Sequence, residues 1–292
     1  MHGSRVAIIV HWGEAKPSVR VAGQVRAAFD EVVVVANDGQ TQPQALPAGV
    51  IWVVSTNVGY AGGCELGVSL RPDAEAYAFL NNDVHITAAA CTELMEALTG
   101  DPRLAVVGPT LVHADGRLQS GAGTWSPVVC APLVRNPAVG LQRCDWVTGA
   151  AFFCSGRAVR EVGFDVSFFL GQEDADFCDR ARASGWDIAV AGEVTATHEG
   201  GTTISGARWV YYSLRNWLWF VRRRRSLLRV VLLTLYALTA LLPRVMAADV
   251  LKRRSPLHTR LLLHALKDGL GPMPPPDRHW EDEPRPARWM SW

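Results

Sequence analysis

The chain has 292 residues, 29 basic against 28 acidic side chains, and 49% hydrophobic content. A disordered chain is poorer in apolar residues and a multi-span membrane protein richer, so neither describes the chain as a whole. The near-neutral total hides a segregation: residues 1–205 carry 13 basic against 22 acidic, 206–270 carry 13 against 2, and 271–292 carry 3 against 4. The basic rear predicts a polyanionic partner, membrane headgroups or nucleic acid.

Short β-branched runs alternate with helical patterns through the first half. Val6–Val10, Val32–Val35, Val50–Val54 and Ala76–Leu80 read as strands. Pro17–Phe29, Tyr60–Leu70 and Thr87–Leu98 read as helices, and Ala105–Val107 as a further short strand. This alternation predicts a mostly parallel sheet covered by helices, with ligands beyond the carboxyl ends of its strands. Asn37-Asp38, Asn57 and Asn81-Asn82-Asp83 all fall at such ends. Gly116–Phe153 reads as a hairpin and a long loop, with Trp146–Phe153 strand-like. Glu173–Ser184 follows as a helix, then Asp187–Val190 and Val194–Thr197 as two short strands. Long helices begin at Ala207, and the Pro-rich stretch from 271 to 292 reads as a mobile tail.

Six cysteines show no C-x-x-C pair and sit in apolar runs, which predicts buried free thiols in a reducing, cytoplasmic setting. No signal-peptide pattern is visible at the start of the sequence.

Three segments carry candidate chemistry. Asn57-Val-Gly-Tyr-Ala-Gly-Gly63 puts glycines at a strand-to-helix junction, where backbone can approach an anion; a plain tight turn is the alternative. Its spacing matches neither G-x-G-x-x-G nor the phosphate-loop pattern. Leu80-Asn-Asn-Asp83 ends a strand in a carboxylate able to hold a hard cation beside substrate phosphates, or a turn-forming cluster. Glu173-Asp-Ala-Asp176 opens a helix behind Phe168-Phe169. It reads as base chemistry beside an aromatic wall, or as dipole-favoured acids with Asp176 and Arg180 paired on the surface. His198 stands alone, as structural histidines usually do.

Taken together, Asn57-x-Gly-x-Ala-Gly-Gly, Leu-Asn-Asn-Asp83, Trp146-Val-Thr-Gly-Ala-Ala, Phe164-Asp-x-x-Phe-Phe, Glu173-Asp-x-Asp and His198-x-Gly resemble family 2 glycosyltransferases, in particular the bacterial rhamnosyltransferase-like subgroup. The resemblance covers about residues 5 to 220. It implies an α/β GT-A fold over 1–205, with a nucleotide-sugar half (1–115) and an acceptor half (116–205). It implies a nucleoside-diphosphate sugar donor such as dTDP-rhamnose or a UDP-sugar, and a hydroxyl acceptor on a glycolipid, polysaccharide or natural product.

By the same resemblance Asp174 is the general base and Glu173 orients it or holds an acceptor hydroxyl. Asp83 and His198 bind Mg²⁺ or Mn²⁺. Asn57, Gly59, Gly62, Gly63 and Asn82 shape the donor site, and Trp146, Gly149 and Ala150 line the acceptor pocket. Two departures concern the donor. Where the family places a base-reading Asp at the end of the second strand, this chain has Ala36, with Asn37 and Asp38 next. Glu65 replaces the family's Asn at the end of the glycine segment.

In the rear, Arg222-Arg-Arg-Arg225 precedes Leu227–Leu242, which is almost wholly apolar and carries one charge, Arg229. The charge-free stretch 230–243 has 14 residues, short of the roughly 20 that span a bilayer. The expectation is an in-plane helix in 206–270, with residues 222–247 on an anionic membrane surface and the enzyme peripheral on the inner face. A helix buried on the catalytic part and a true span are the alternatives. Nucleic acid is not expected, since no binding motif is present. A nucleotidyltransferase of similar fold and an inactive membrane adaptor are the other functional readings; His11–Lys16 is a poor triphosphate loop for the former.

Overall fold

The computed structural model of the chain describes residues 3–128, 130–199, 206–224 and 226–272. In chain order the first half holds β1 (Arg5–His11), α1 (Ala15–Val25), β2 (Glu31–Ala36), β3 (Val50–Val54), α2 (Gly59–Ser69), β4 (Ala76–Asn81), β5 (Val84–His85) and α3 (Ala88–Gly100). Then come β6 (Leu104–Val112), β7 (Leu118–Ser120), β8 (Ala122–Trp125), β9 (Pro132–Arg135), β10 (Leu141–Cys144), β11 (Ala151–Ser155), α4 (Gly156–Val162), α5 (Glu173–Ala183) and β12 (Asp187–His198). The rear holds α6 (Gly206–Arg224), α7 (Leu227–Tyr236), α8 (Leu242–Ala248) and α9 (Leu257–Leu270).

β1 is flanked by β2 and β4 in parallel, with β3 beyond β2. Buried on both faces, β1, β2 and β4 read as unbroken apolar runs rather than as alternation. β11 then inserts antiparallel between β4 and β6, and β12 lies parallel to β6 with β10 antiparallel outside it. The mixed sheet is the order β10-β12-β6-β11-β4-β1-β2-β3. One face packs α1 and α3; the other packs α2, α4 and α5 around Phe79, Phe152, Phe164 and Phe177. Rings Phe79–Phe164 and Phe164–Phe177 stand 4.9 and 5.0 Å apart, so Phe164 of the resemblance is a core residue.

Several expectations shift. The strand read at Ala105–Val107 runs nine residues, because both its neighbours are strands. The two short strands after α5 are one, β12, whose pairing with β6 slips between Ala191 and Thr195. Trp146–Phe153 is strand only from Ala151; Trp146 makes an isolated bridge to Gly123. The pair expected on the surface, Asp176–Arg180, turns inward: Asp176 is fully enclosed, and Arg180, half-buried, also donates to the carbonyls of Val162 and Gly163. All six cysteines are free thiols, five of them buried.

A third apolar cluster joins α6, α7 and α9 to Phe168, Phe169 and Cys130. Tyr211, Tyr212 and Trp219 are buried in it. Arg222 donates to the carbonyls of Gly269 and Gly271 at 2.7 and 2.6 Å, and Arg223 pairs with Asp165. Arg222 therefore fastens α6 to the end of α9, and Arg223 fastens α6 to the segment between α4 and α5, instead of reaching outward. The expected 14-residue apolar stretch lies in a longer helical rod, Leu227–Arg253, which is long and apolar enough to cross a membrane by length and composition alone. Two π turns, Ala237–Leu241 and Asp249–Arg253, interrupt it. The first precedes Pro243, whose missing N–H cannot complete the α ladder. The expected Pro-rich tail lies outside the described residues beyond 272.

Candidate active site

Helix α5 starts from an unusual platform. Phe169, Gly171 and Gln172 all have positive φ (60°, 82° and 73°), a conformation that only Gly adopts at no steric cost. The platform is held from α6: Asn216, fully buried, donates to the carbonyls of Phe168, Leu170 and Gly171 at 2.9, 2.9 and 2.7 Å. Arg215, also buried, reaches Phe168 O at 3.2 Å and lies over the rings of Trp219, Tyr212 and Tyr211. On the other side Phe169 O accepts the N–H of Tyr60 at 2.6 Å. The loop before the acidic pair is thus clamped between α6 and the start of α2.

Asp174 Oδ2 accepts the N–H of Gly149 at 2.7 Å and Oδ1 that of Ala175 at 2.7 Å. Burial raises its pKa, and these amides oppose the rise. Glu173 Oε2 is buried with no hydrogen-bond partner. Burial and then the neighbouring Asp174 charge push the Glu173 carboxyl up to about 8, against the pull of nearby backbone amides. Two coupled carboxyls at a helix start, one of them titrating near neutrality, are equipped for proton transfer. Tyr60 completes the group by donating its hydroxyl to Gly149 O at 2.7 Å.

Across the pocket, β4 ends at Asn81 and β12 at His198, and β5 pairs with β12 to bring Asp83 alongside. His198 Nε2 lies 3.1 Å from Asp83 Oδ1 and 3.3 Å from Asn81 Nδ2, and its Nδ1 lies 3.1 Å from Gln119 Oε1. Cis ligands of an octahedral cation with bonds near 2.1 Å lie about 3.0 Å apart, so this pair fits a Mg²⁺- or Mn²⁺-like ion. Among the described residues no group of three or more His, Cys, Asp or Glu gathers, so the remaining ligands would be substrate oxygens and water.

Asp83, Trp146, Gly149, Ala150, Glu173, Asp174 and His198 all line one cavity of about 570 Å³. Asn37, Asp38, Asn57, Gly59, Gly62, Gly63 and Asn82 do not line it. The glycines of the expected phosphate cradle, Gly59–Gly63, are also required by packing. A Cβ on Gly59 would overlap Phe169; one on Gly62 would press on Val58, and one on Gly63 on Val10. The N–H groups of Gly59 and Tyr60 are taken by Asn57 Oδ1 (3.2 Å) and Phe169 O. These glycines seat α2 on the sheet and on the α5 platform.

Asn37, buried, donates to Gly59 O at 2.7 Å and so supports the same turn. Asp38 accepts Gly13 N–H and Gln40 Nε2, each at 2.8 Å, and orders the loop after β1. Asn82 ties that loop to β4 through Trp12 O at 3.1 Å. Glu65, in place of the family's Asn, accepts Phe164 N–H at 2.5 Å, and its burial raises its pKa.

The cavity also contains residues that sequence reading passed over. Gln119, Trp125 and Trp209 come from segments with no motif, and only the fold brings them to the wall. Asn216 carried a readable signal: a polar pair, Arg215-Asn216, on the aromatic face of a helix.

The fold and site define the class: the chain has the GT-A fold, a mixed sheet between helices with its carboxylates at the strand ends. It superposes on GalNAc-T7 solved with UDP, GalNAc and Mn²⁺ (TM-score 0.58, 14% identity, 75% of this chain and 48% of that one). It superposes also on the mannosyltransferase PcManGT from Pyrobaculum calidifontis, solved with GDP-Man and Mn²⁺ (TM-score 0.55, 13% identity, 97% and 89%). In sequence it is 24% identical over 172 residues to the low-salt glycan biosynthesis hexosyltransferase Agl10 of Haloferax volcanii. That match takes in 55% of this chain and 56% of the relative, so the chain aligns with little more than half the length of that curated relative. No family model matches the chain.

Proposed function

We infer that the chain is an inverting, metal-dependent glycosyltransferase that moves a sugar from a nucleoside diphosphate to an acceptor hydroxyl. The observation that carries this is the meeting of two pairs in one cavity, Asp83 with His198 and Glu173 with Asp174. Asp83 and His198 would hold Mg²⁺ or Mn²⁺, which supplies positive charge for the departing diphosphate. The Mn²⁺ complexes of the structural neighbours, one with GDP-Man and one with UDP and GalNAc, and the hexosyltransferase relative support the same chemistry. The subgroup resemblance favours dTDP-rhamnose or a UDP-sugar as donor.

Asp174 takes the proton of the acceptor hydroxyl while that oxygen bonds to the anomeric carbon. The bond from that carbon to the diphosphate oxygen breaks, and the electron pair leaves with the nucleotide. A single displacement by one base inverts the centre. Gly149 N–H orients the base, and Trp146 and Ala150 shape the acceptor side. In this division residues 1–205 carry the chemistry, and 206–270 dock the enzyme on the anionic inner face of the cell membrane.

A donor-hydrolysis assay with Mn²⁺ tests the activity. Release of nucleoside diphosphate from one donor, abolished by chelation, supports transfer. Pyrophosphate release from a nucleoside triphosphate would favour a nucleotidyltransferase, and no turnover with any donor would favour the inactive adaptor.

A further inference from the structure

The backbone of His198 is held from two directions. β12 pairs it with Val84 of β5, and the next N–H, of Glu199, goes to Asp83 O at 3.1 Å. Neither contact decides which ring nitrogen carries hydrogen, and a cation needs a lone pair on the nitrogen it meets. That choice belongs to the side chains around the ring.

Gln119 reaches the ring through an irregularity in the sheet. The β6–β7 pair sets Leu111 opposite Ser120 and Val112 opposite Leu118, which makes Gln119 the extra residue of a bulge. The turn behind it is closed: Gly116 N–H, at φ 82°, donates to His113 O at 2.8 Å, and Arg117 O accepts His113 N–H at 2.9 Å. Val112 also pairs with Thr197, the residue before His198, so one position of β6 registers both neighbours of the contact. A bulge re-aims the side chain it carries. Here the Gln119 amide turns into the cavity and meets His198 Nδ1 through Oε1 at 3.1 Å.

An amide oxygen accepts and does not donate, so this contact places the ring hydrogen on Nδ1. At the opposite nitrogen, Asn81 presents its amide Nδ2 to Nε2 at 3.3 Å, a donor directed at a lone pair. The two amides specify the same tautomer, and the other tautomer would need both of them to turn over. Asp83 Oδ1, 3.1 Å from Nε2, then faces that lone pair as a fellow ligand.

We propose that Gln119 is a positioning residue for the Asp83–His198 pair: its amide oxygen holds the His198 hydrogen on Nδ1 and so presents Nε2 as a free lone pair beside Asp83. The consequence for metal binding rests on the metal-dependent reading and adds to it a residue that touches neither cation nor Asp83. Outer partners of this kind commonly change metal affinity by roughly 10- to 100-fold.

The test uses the full chain with ¹⁵N-labelled histidine, without metal, at about pH 9, where imidazole is neutral. Long-range proton–nitrogen correlation spectra separate a ring nitrogen that carries hydrogen from one that does not, and the His198 signals are those lost in His198→Gln. In the wild type Nδ1 should carry the hydrogen and Nε2 none. Gln119→Leu should shift hydrogen toward Nε2. At about pH 7 it should also weaken Mn²⁺ binding roughly 10- to 100-fold, read from the paramagnetic resonance of the free ion. Gln119→Glu keeps an acceptor oxygen and should preserve both the ring pattern and the binding, which a merely structural role would not predict. Hydrogen on Nε2 in the wild type, a measurement that needs no variant, overturns the proposal. So does a Gln119→Leu ring pattern equal to that of the wild type. Failure of Mn²⁺ to bind a wild type whose ring pattern is as expected contradicts the metal reading beneath the proposal and leaves the placement of the hydrogen standing.

Discussion

Asp174 Oδ2 receives the N–H of Gly149 across 2.7 Å, and Gly149 O in turn receives the Tyr60 hydroxyl, also at 2.7 Å. One glycine thus couples the acid-rich helix, the acceptor-side strand and the start of α2. Asp174→Asn keeps the Gly149 N–H on its amide oxygen, gives up the acceptor for the Ala175 N–H, and cannot take a proton. It should bind donor with wild-type affinity while turnover falls roughly 10²- to 10⁴-fold. Calorimetry beside a rate assay checks this, and donor affinity falling in step with turnover would remove Asp174 from the base role.

Glu173 gives a stability signature with a definite sign. Its carboxyl is pushed up to about 8 in the fold from an ordinary value of 4.5, mainly by burial. The folded protein therefore holds a proton that the unfolded chain has released, and stability falls as pH rises from about 4.5 through 8. Glu173→Gln removes that dependence. It should melt higher than wild type at pH 8, by at least about 2–4 °C, with little difference at pH 4.5. Equal shifts at both pH values would contradict a protonated Glu173.

Asn216 acts on the site from outside it. Asn216→Leu takes the Asn216 donor from the carbonyls of Leu170 and Gly171, each at a cost of about 1–3 kcal/mol where water cannot replace it, while Phe168 O keeps Arg215 and the N–H of Leu170. Urea unfolding should show a loss of at least about 2 kcal/mol. In the fraction that remains folded, the pH–rate profile should shift as the Glu173–Asp174 pair moves. An unchanged profile would reduce Asn216 to a packing residue.

The enclosed Asp176–Arg180 pair predicts an asymmetry between variants. Arg180→Met removes the cation beside the enclosed Asp176 carboxylate and should cost up to about 3–5 kcal/mol, whereas the double change Asp176→Leu with Arg180→Met should recover part of it. Chemical denaturation of both variants decides, and equal losses would place the pair in solvent.

The half of the fold carried by β1–β4 and α1–α3 was legible because parallel buried strands are unbroken apolar runs. β12 was not, since its pairing slip around Gly192 looks like two strands in a linear pattern. The acidic and histidine residues of the site were legible as residue types at strand and helix ends. The glycines were ambiguous, because closeness to Phe169 and Val10 demands the same residue as closeness to a phosphate. The buried state of Asp176 was hidden too: i,i+4 spacing is the same on either face of a helix, and only the carbonyls of Val162 and Gly163 show which way Arg180 turns. Gln119, Trp125 and Trp209 meet the site only through long-range topology, which a single sequence does not display.

The pair His198–Asp83 is the centre of the functional reading, and donor titration reaches it most directly. UDP-, GDP- and dTDP-sugars would be titrated with and without Mn²⁺ into wild type and Asp83→Asn. One donor should bind only with metal, and the variant should lose that binding about 100-fold or more. Metal-independent binding that is equal in the two proteins would contradict a metal site on Asp83 and His198.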